Sequence, residues 1–247
     1  MPRFYVDKSI CINADKSINI TGEDVNHIKN VLRLKVGESV TISDGEGTDY
    51  ICHITSLSSE MVTCDIVDIV KNASELKCRI TLFQGMPKSD KLELIIQKAV
   101  ELGACEIVPV MTKRTIVKLD DKKAGKKLER YNAIAKSAAE QSGRGIVPLV
   151  KGFMSFKEAL EYAKTLDMNI IPYEEAKGMG YSREVIKGIK DKKSLGIFIG
   201  PEGGFAKEEV DAAKAIGAKC ITLGNRILRT ETAGLTTLSI IMFELDE

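Results

Sequence analysis

The sequence contains no tryptophan, and aromatic residues make up only 5% of its 247 positions. Hydrophobic residues still account for 44%, so the cores must be mostly aliphatic. No apolar run approaches the roughly 20 residues that a membrane-spanning helix needs, and the opening segment MPRFYVDKS lacks an apolar signal core. We therefore expect a soluble protein of one large or two modest domains.

Histidine and paired cysteines are also scarce. His27 and His53 lie far apart without clustered partners, and no two cysteines form a CxxC pair. The sequence thus predicts no structural zinc site. Cysteines in apolar, strand-like runs pack as small hydrophobes, which favours a reduced, cytoplasmic compartment. The cysteines are Cys11, Cys52, Cys64, Cys78, Cys105 and Cys220.

An excess of charge of either sign is missing as well. Lys and Arg number 36 against 35 for Asp and Glu, which gives a net charge of +1. Any surface for nucleic acid must therefore be local. The run at residues 113–130 is rich in Lys and Arg with acidic residues mixed in, typical of either a solvated helix face or a patch that follows RNA phosphates.

The first part of the chain has a strand-like pattern. Short apolar runs between residues 3 and 69 are separated by turn residues, and Thr21 with Asp24 predicts the start of a single helix. We interpret this part as a small β-barrel. The polar segment at residues 71–75 breaks the pattern and predicts a domain boundary, with domains at residues 1–72 and 73–247.

Beyond the boundary, strands alternate with helices. Apolar runs predict strands at residues 78–84, 107–110, 168–171, 195–199 and 220–223. Helical spacing fills the intervals, and Ser155 with Glu158 predicts a capping box. This alternation indicates an α/β fold with a parallel sheet covered on both faces.

Two glycine-rich turns follow the last two predicted strands. The first is IGPEGGF at residues 199–205, and the second is LGNRILRTETA at residues 223–233. Loops at the carboxyl ends of parallel strands form the crevice in which open α/β sheets bind ligands. A single turn of this kind is often only a solution to backbone geometry, but two in neighbouring units favour a binding site.

The charge of the first turn narrows the ligand. A carboxylate, Glu202, would repel a nucleotide phosphate, and neither a P-loop nor a GxGxxG pattern is present. This argues against a nucleotide-dependent oxidoreductase. An adenosine that carries a positive centre instead of phosphates, such as S-adenosylmethionine, fits better.

The two turns together resemble the signature of the RsmE family, the uridine N3-methyltransferases of small-subunit ribosomal RNA within the SPOUT superfamily. The resemblance extends to RFYV at Arg3, to residues 27–38, to KAVELG at residues 98–103 and to QSGRG, which contains Gln141 and Arg144. Departures from the family pattern are minor, such as the unremarkable run MPKSDK at residues 86–91.

The resemblance implies an N-terminal PUA-like RNA-binding β-barrel and a C-terminal parallel-sheet SPOUT domain with a trefoil knot. It also implies a homodimer, with S-adenosylmethionine bent among three knotted loops. The residues expected to bind this cofactor are Ile171, Pro172, Tyr173, Glu174, Ile199, Gly200, Pro201, Glu202, Gly203, Gly204, Leu223, Gly224, Arg226, Ile227, Leu228, Thr230 and Ala233.

The substrate comes from the resemblance alone: one uridine in the decoding region of 16S rRNA, methylated in the assembled small subunit. Methyl transfer to N3 requires loss of a proton and stabilisation of negative charge on the uracil oxygens. Arg229 is the candidate for stabilising this charge, and either Glu202 or Glu231 for accepting the proton. The competing hypothesis is a non-catalytic RNA-binding or ribosome-assembly factor on the same fold.

Four arginines are predicted to contact RNA. The resemblance implies that Arg3 and Arg33 face RNA phosphates. We predict the same role for Arg114, in the basic run, and for Arg144, in the QSGRG segment.

Overall fold

The structure is a computed structural model, and it describes residues 1–6, 16–88, 90–116, 121–174, 176 and 178–246. Cys11 and residues 117–120 of the basic run lie outside this set. The chain divides into two compact units. Unit 1 comprises Met1–Glu75 with Ala139–Val147, and unit 2 comprises Leu76–Ala138 with Pro148–Glu247. The sequence did not indicate that residues 139–147 join unit 1, and the boundary at residues 72 and 73 stays a prediction.

Within the described residues, unit 1 contains a five-stranded sheet in the order β1-β3-β4-β5-β2. The pair β1–β3 is parallel and the other pairs are antiparallel. Apolar side chains on alternate positions, such as Ile18 and Ile20, point into one core, as the period of a strand requires. The strands are β1 Arg3–Tyr5, β2 Ser17–Thr21, β3 Ser39–Ser43, β4 Thr48–Leu57 and β5 Met61–Lys71.

A short helix, α1 Glu23–Asn26, interrupts these strands and continues into a wider turn over His27–Val31. The helix lies where it was predicted, but its start differs. Gly22, at a φ of 74°, occupies the N-cap position, and no side chain caps the helix. The expected capping role of Thr21 is therefore wrong, because Thr21 still belongs to β2.

Unit 2 contains a seven-stranded sheet among the described residues, and every recorded strand pair in it is parallel. The order is β12-β10-β11-β6-β7-β8, with β9 also paired to β7. The strands are β6 Arg79–Gly85, β7 Ala104–Met111, β8 Leu149–Val150, β9 Met154–Ser155, β10 Met168–Pro172, β11 Ser194–Ile199 and β12 Lys219–Ile221. The predicted α/β fold with a parallel sheet is confirmed.

The helices of unit 2 follow the predicted alternation. They are α2 Lys91–Glu101, α3 Asp121–Ser142, α4 Phe156–Ala163, α5 Met179–Lys187, α6 Lys207–Ala215 and α7 Thr230–Leu245. The capping box at the start of α4 is confirmed: Ser155 Oγ accepts from the N–H of Glu158 at 3.2 Å, and the Glu158 carboxylate accepts from the N–H of Ser155 at 2.7 Å. The last turn of α3 belongs to unit 1.

In the absence of tryptophan, phenylalanine side chains supply the large aromatic groups in the core of unit 2. Phe83 on β6 and Phe198 on β11 stack with ring centroids 4.4 Å apart, and Phe156 packs edge-on against Phe198. All three lie in or against the aliphatic core on one face of the sheet. In the part of the chain that is described, no helix is long and apolar enough to cross a membrane.

Candidate active site

Three loops meet at one edge of the sheet in unit 2. β10 lies between β11 and β12, and both pairs are parallel, so the carboxyl ends of the three strands lie side by side. The loops at these ends, counted with the last residues of the strands where Ile171, Pro172 and Ile199 lie, comprise residues 171–174, 199–204 and 222–229. These include nearly all the residues expected to bind the cofactor, and Thr230 and Ala233 follow in the first turns of α7.

The loop at residues 199–204 folds tightly against the end of β6. The N–H of Gly204 donates to the carbonyl of Pro201 at 2.8 Å, and Gly204 has a φ of 67°, which suits glycine. A Cβ atom at Gly85 would lie 2.6 Å from Pro201 Cδ, so only glycine permits this approach. Arg114 fastens the other side by donating to the carbonyl of Gly203 at 2.6 Å.

The loop at residues 222–229 combines a fixed beginning with an exposed tip. Thr222 receives a hydrogen bond from the N–H of Gly224 at 3.2 Å and donates its own N–H to Ser182 Oγ at 2.9 Å. Beyond it, Arg226 and Arg229 are exposed, and neither has an ion-pair or hydrogen-bond partner for its side chain within the described residues. Two guanidinium groups are thus available to an anionic ligand.

The loop at residues 171–174 is held to its neighbour by the backbone. The N–H of Tyr173 donates to the carbonyl of Ile221 at 2.9 Å. Ile171 is fully buried, whereas Glu174 is exposed. The ammonium group of Lys214 lies 5.9 Å from the centroid of the Tyr173 ring.

A buried hydrogen-bond chain connects the first loop to α7. Gln84 Nε2 donates to Thr230 Oγ1 at 2.9 Å, and Thr230 Oγ1 donates to the carbonyl of Gly200 at 2.6 Å. Gln84 is completely buried. Sequence reasoning missed Gln84 because a glutamine at the end of an apolar strand gives no local signal of a partner 146 positions away.

The two candidate proton acceptors have different surroundings. Glu202 accepts from the N–H of Lys88 at 3.0 and 3.3 Å, and Lys91 Nζ lies 3.4 Å from it. Partial burial opposes ionisation of Glu202, but these donors outweigh it and lower the pKa of the carboxyl below its usual value. Glu231 Oε2 lies 3.4 Å from Lys91 Nζ, and its Oε1 has no partner among the described residues.

Residues 74–242 match the RNA methyltransferase domain family, and residues 20–67 match the RNA methyltransferase PUA domain. The chain is 38% identical over 250 residues to the ribosomal RNA small subunit methyltransferase E of Bacillus subtilis, covering 100% of this chain and 98% of the relative. The chain belongs to the ribosomal RNA small subunit methyltransferase E family. The predicted family, and with it the RNA methyltransferase and PUA-like domains, is confirmed.

Two solved structures share this fold along nearly the whole chain. One is a ribosomal RNA small subunit methyltransferase E from Neisseria gonorrhoeae bound to S-adenosyl methionine, with 33% identity, a TM-score of 0.85, and coverage of 98% of this chain and 97% of that one. The other is a methyltransferase from Legionella pneumophila in complex with the bound cofactor SAM, with 28% identity, a TM-score of 0.84, and coverage of 98% of this chain and 96% of that one.

Two of the four arginines predicted to contact RNA are engaged inside unit 1 of this methyltransferase. Arg144 forms a two-pronged pair with Glu75, Nε to Oε1 at 2.8 Å and Nη2 to Oε2 at 2.6 Å. Arg3 pairs in the same way with Asp49. Both guanidinium groups are thus paired with internal carboxylates, and their contact with RNA phosphates stays a prediction.

The other two arginines remain accessible. Arg33 is exposed and has an unusual positive φ of 55°, directly after the turn that ends α1. Arg114 is exposed beside the loop at residues 199–204, although its Nη1 donates to the carbonyl of Gly203. Neither side chain is paired with a carboxylate by a salt bridge within the described part of the methyltransferase.

Proposed function

We propose that this chain transfers a methyl group from S-adenosylmethionine to N3 of a uridine in 16S rRNA of the small ribosomal subunit. Its family membership supports rRNA as the substrate, and the two SAM-bound relatives support the cofactor. The observation that carries the proposal is that three loops lie together at the carboxyl ends of adjacent parallel strands. These loops place carboxylates where a phosphate site would need cations.

The residues present fit this cofactor. S-adenosylmethionine supplies an electrophilic methyl group on a positively charged sulfur. Glu202 and Glu231 provide negative charge near that site. We assign backbone groups of Leu223, Gly224 and Leu228 to adenine, of which the N–H and carbonyl of Gly224 also pair with Thr222 Oγ1. Gly200 and Gly203 have no side chains of their own, and the space that a Cβ atom would fill lies against the backbone of Gly204 at Gly200 and against the side chain of Arg114 at Gly203.

Arg229 is the residue we assign to stabilising negative charge on the uracil oxygens. It is exposed, it lacks a carboxylate partner in the described structure, and it directly precedes α7, where backbone N–H groups add positive potential. Between the two possible proton acceptors, the geometry favours Glu231. Glu202 already accepts from Lys88 and Lys91, whereas one oxygen of Glu231 is unoccupied by the described residues.

For RNA binding we propose Arg33 of the PUA-like unit and Arg114 beside the donor loops. Both guanidinium groups are exposed, and neither forms a salt bridge with a carboxylate within the described residues. Counterion release then makes the affinity depend on salt concentration.

A homodimer and a knotted backbone are also part of the proposal. Helices α2 and α7 expose large apolar side chains, with 47% of Leu94 and 80% of Phe243 accessible, which suits a second copy. After β11 the chain passes β10 to place β12 on its far side, an arrangement compatible with threading. We expect the enzyme to work in the cytoplasm, where small subunits are assembled.

The test combines binding with product analysis. Calorimetry should detect binding of S-adenosylmethionine by the full chain. Mass spectrometry should map one N3-methyluridine in small subunits that are incubated with the protein and S-adenosylmethionine. Donor binding without methylation of small subunits would indicate a different RNA substrate. Absence of donor binding would instead support a non-catalytic assembly factor.

A further inference from the structure

The run at residues 86–91, which is unremarkable in the sequence, follows β6 and ends at Lys91, the first residue of α2. In the structure it contacts the donor site twice. The backbone N–H of Lys88 donates to both carboxylate oxygens of Glu202, and the ammonium group of Lys91 lies 3.4 Å from Glu202 Oε1.

Lys91 also reaches the beginning of α7. Its Nζ atom lies 3.4 Å from Glu231 Oε2, so one ammonium group bridges two carboxylates on two separate elements. The three side chains are only partly accessible, at 32% for Lys91, 30% for Glu202 and 17% for Glu231. The bridge is therefore less screened by water than a pair on the open surface.

We propose that Lys91 is a positioning residue of the methyl-donor site, which clamps Glu202 and Glu231 together and fixes the spacing between the glycine-rich loop and α7. This inference rests on the proposed function. It separates the roles of three charged groups: Lys91 is the clamp, Glu202 is its anchor, and Glu231 is the carboxylate held in place for the reaction.

Stability alone does not account for such an arrangement. A partly exposed ion pair adds little to folding, and α7 is already joined to the glycine-rich loop by the Gln84–Thr230–Gly200 hydrogen bonds. A methyl-transfer site, by contrast, is sensitive to small displacements of its groups. Without Lys91, the two carboxylates would repel each other and move apart.

A purely electrostatic role and a positioning role of Lys91 predict opposite changes in cofactor affinity when Lys91 is replaced by Met. The three side chains carry two negative charges and one positive charge. If only charge mattered, Lys91→Met would leave a more negative site and bind the sulfonium cofactor more tightly. If Lys91 is a clamp, the same change should weaken binding.

The experiment compares Lys91→Met and Lys91→Arg with a matched control, Lys190→Met. Lys190 pairs with Glu244 at the other end of α7, at 3.2 Å and with similar exposure. We expect Lys91→Met to weaken S-adenosylmethionine binding about tenfold by calorimetry, and Lys91→Arg to restore it to within about threefold. Lys190→Met should bind as the wild type does, and both Met variants should show similar small changes in Tm.

A double-mutant cycle gives a second readout. Glu231→Gln should reduce the rate of methyl transfer much less in the Lys91→Met background than in the wild type, because the clamp is already lost. Equal or tighter donor binding by Lys91→Met, or additive effects in the cycle, would overturn the inference. If the wild type itself gave no heat with S-adenosylmethionine, the proposed function would fall first and the inference with it.

Discussion

Arg144 of unit 1 and the two loop arginines of unit 2, Arg226 and Arg229, lie in different environments. In unit 1, Arg144 is 2% exposed and held by both oxygens of Glu75. In unit 2, Arg226 and Arg229 are exposed and have no carboxylate partner in the described structure. Both kinds of arginine stand in motifs that resemble the family, so the comparison shows that a family motif alone does not reveal whether an arginine is paired with a carboxylate.

The most damaging change should be the loss of Arg144. Arg144→Met leaves the carboxylate of Glu75, whose side chain is only 22% exposed, without its main partner, and we expect a loss of about 3 kcal/mol in the free energy of unfolding. Chemical denaturation measures this. Arg33→Met, which removes an exposed arginine from the same unit, is the control and should change stability by less than about 0.5 kcal/mol.

Arg229→Ala should lower activity and leave stability unchanged, in contrast to Arg144→Met. We expect the rate of methyl transfer to small subunits to fall about a hundredfold, a loss typical of a group that stabilises developing charge, with unchanged stability. Arg226→Ala, in the same loop and equally unpaired, is the control and should lose less. Full activity of Arg229→Ala with unchanged donor binding would show that this arginine has no role in the chemistry.

The stability that the Arg144–Glu75 pair contributes should also depend on pH. Burial opposes ionisation of Glu75, but Arg144 and the N–H groups of Ile146 and Gly145 outweigh it and lower the pKa of this carboxyl below its usual 4.5. The stability it contributes is therefore present above pH 4.5 and is lost as the pH falls through the lowered value. In a series of unfolding curves, Glu75→Gln should be less stable than the wild type at neutral pH and should depend less on pH in the acid range.

The smallest expected effect concerns how helices begin in the two units. Ser155 caps α4 in unit 2, so Ser155→Ala should lower the free energy of unfolding by about 1 kcal/mol. Thr21 in unit 1 does not cap α1, and Thr21→Ala should leave that helix start unchanged. Equal decreases in Tm for Ser155→Ala and Thr21→Ala would mean that Thr21 contributes to stability in a way unrelated to capping.

Much of the fold could be predicted from the sequence because its signals are local. The alternation of apolar runs with helical spacing located most strands of unit 2, and glycines marked the turns at residues 199–205 and 223–233. Short strands such as Leu149–Val150 carry too few residues to show a period. The charge of Glu202 likewise argued against a nucleotide phosphate in this loop without any knowledge of its partners.

The tertiary partners could not be predicted in this way. Arg144 and Glu75 are separated by 69 positions, and Lys88 and Glu202 by 114. No periodicity connects residues so far apart, and a lysine in a polar run is usually a solvated side chain. For the same reason, the attachment of residues 139–147 to unit 1 was not expected.

The hydrogen bonds from Gln84 through Thr230 to Gly200 join an early strand to the last helix of the chain. During translation, β6 and the glycine-rich loop leave the ribosome before α7 does, and domains fold from the N-terminus as they are made. A nascent chain stopped before Thr230 thus lacks the hydroxyl group that joins α7 to the glycine-rich loop, however complete its PUA-like unit. Premature termination in this last stretch should accordingly give a protein that still contacts RNA but consumes no cofactor.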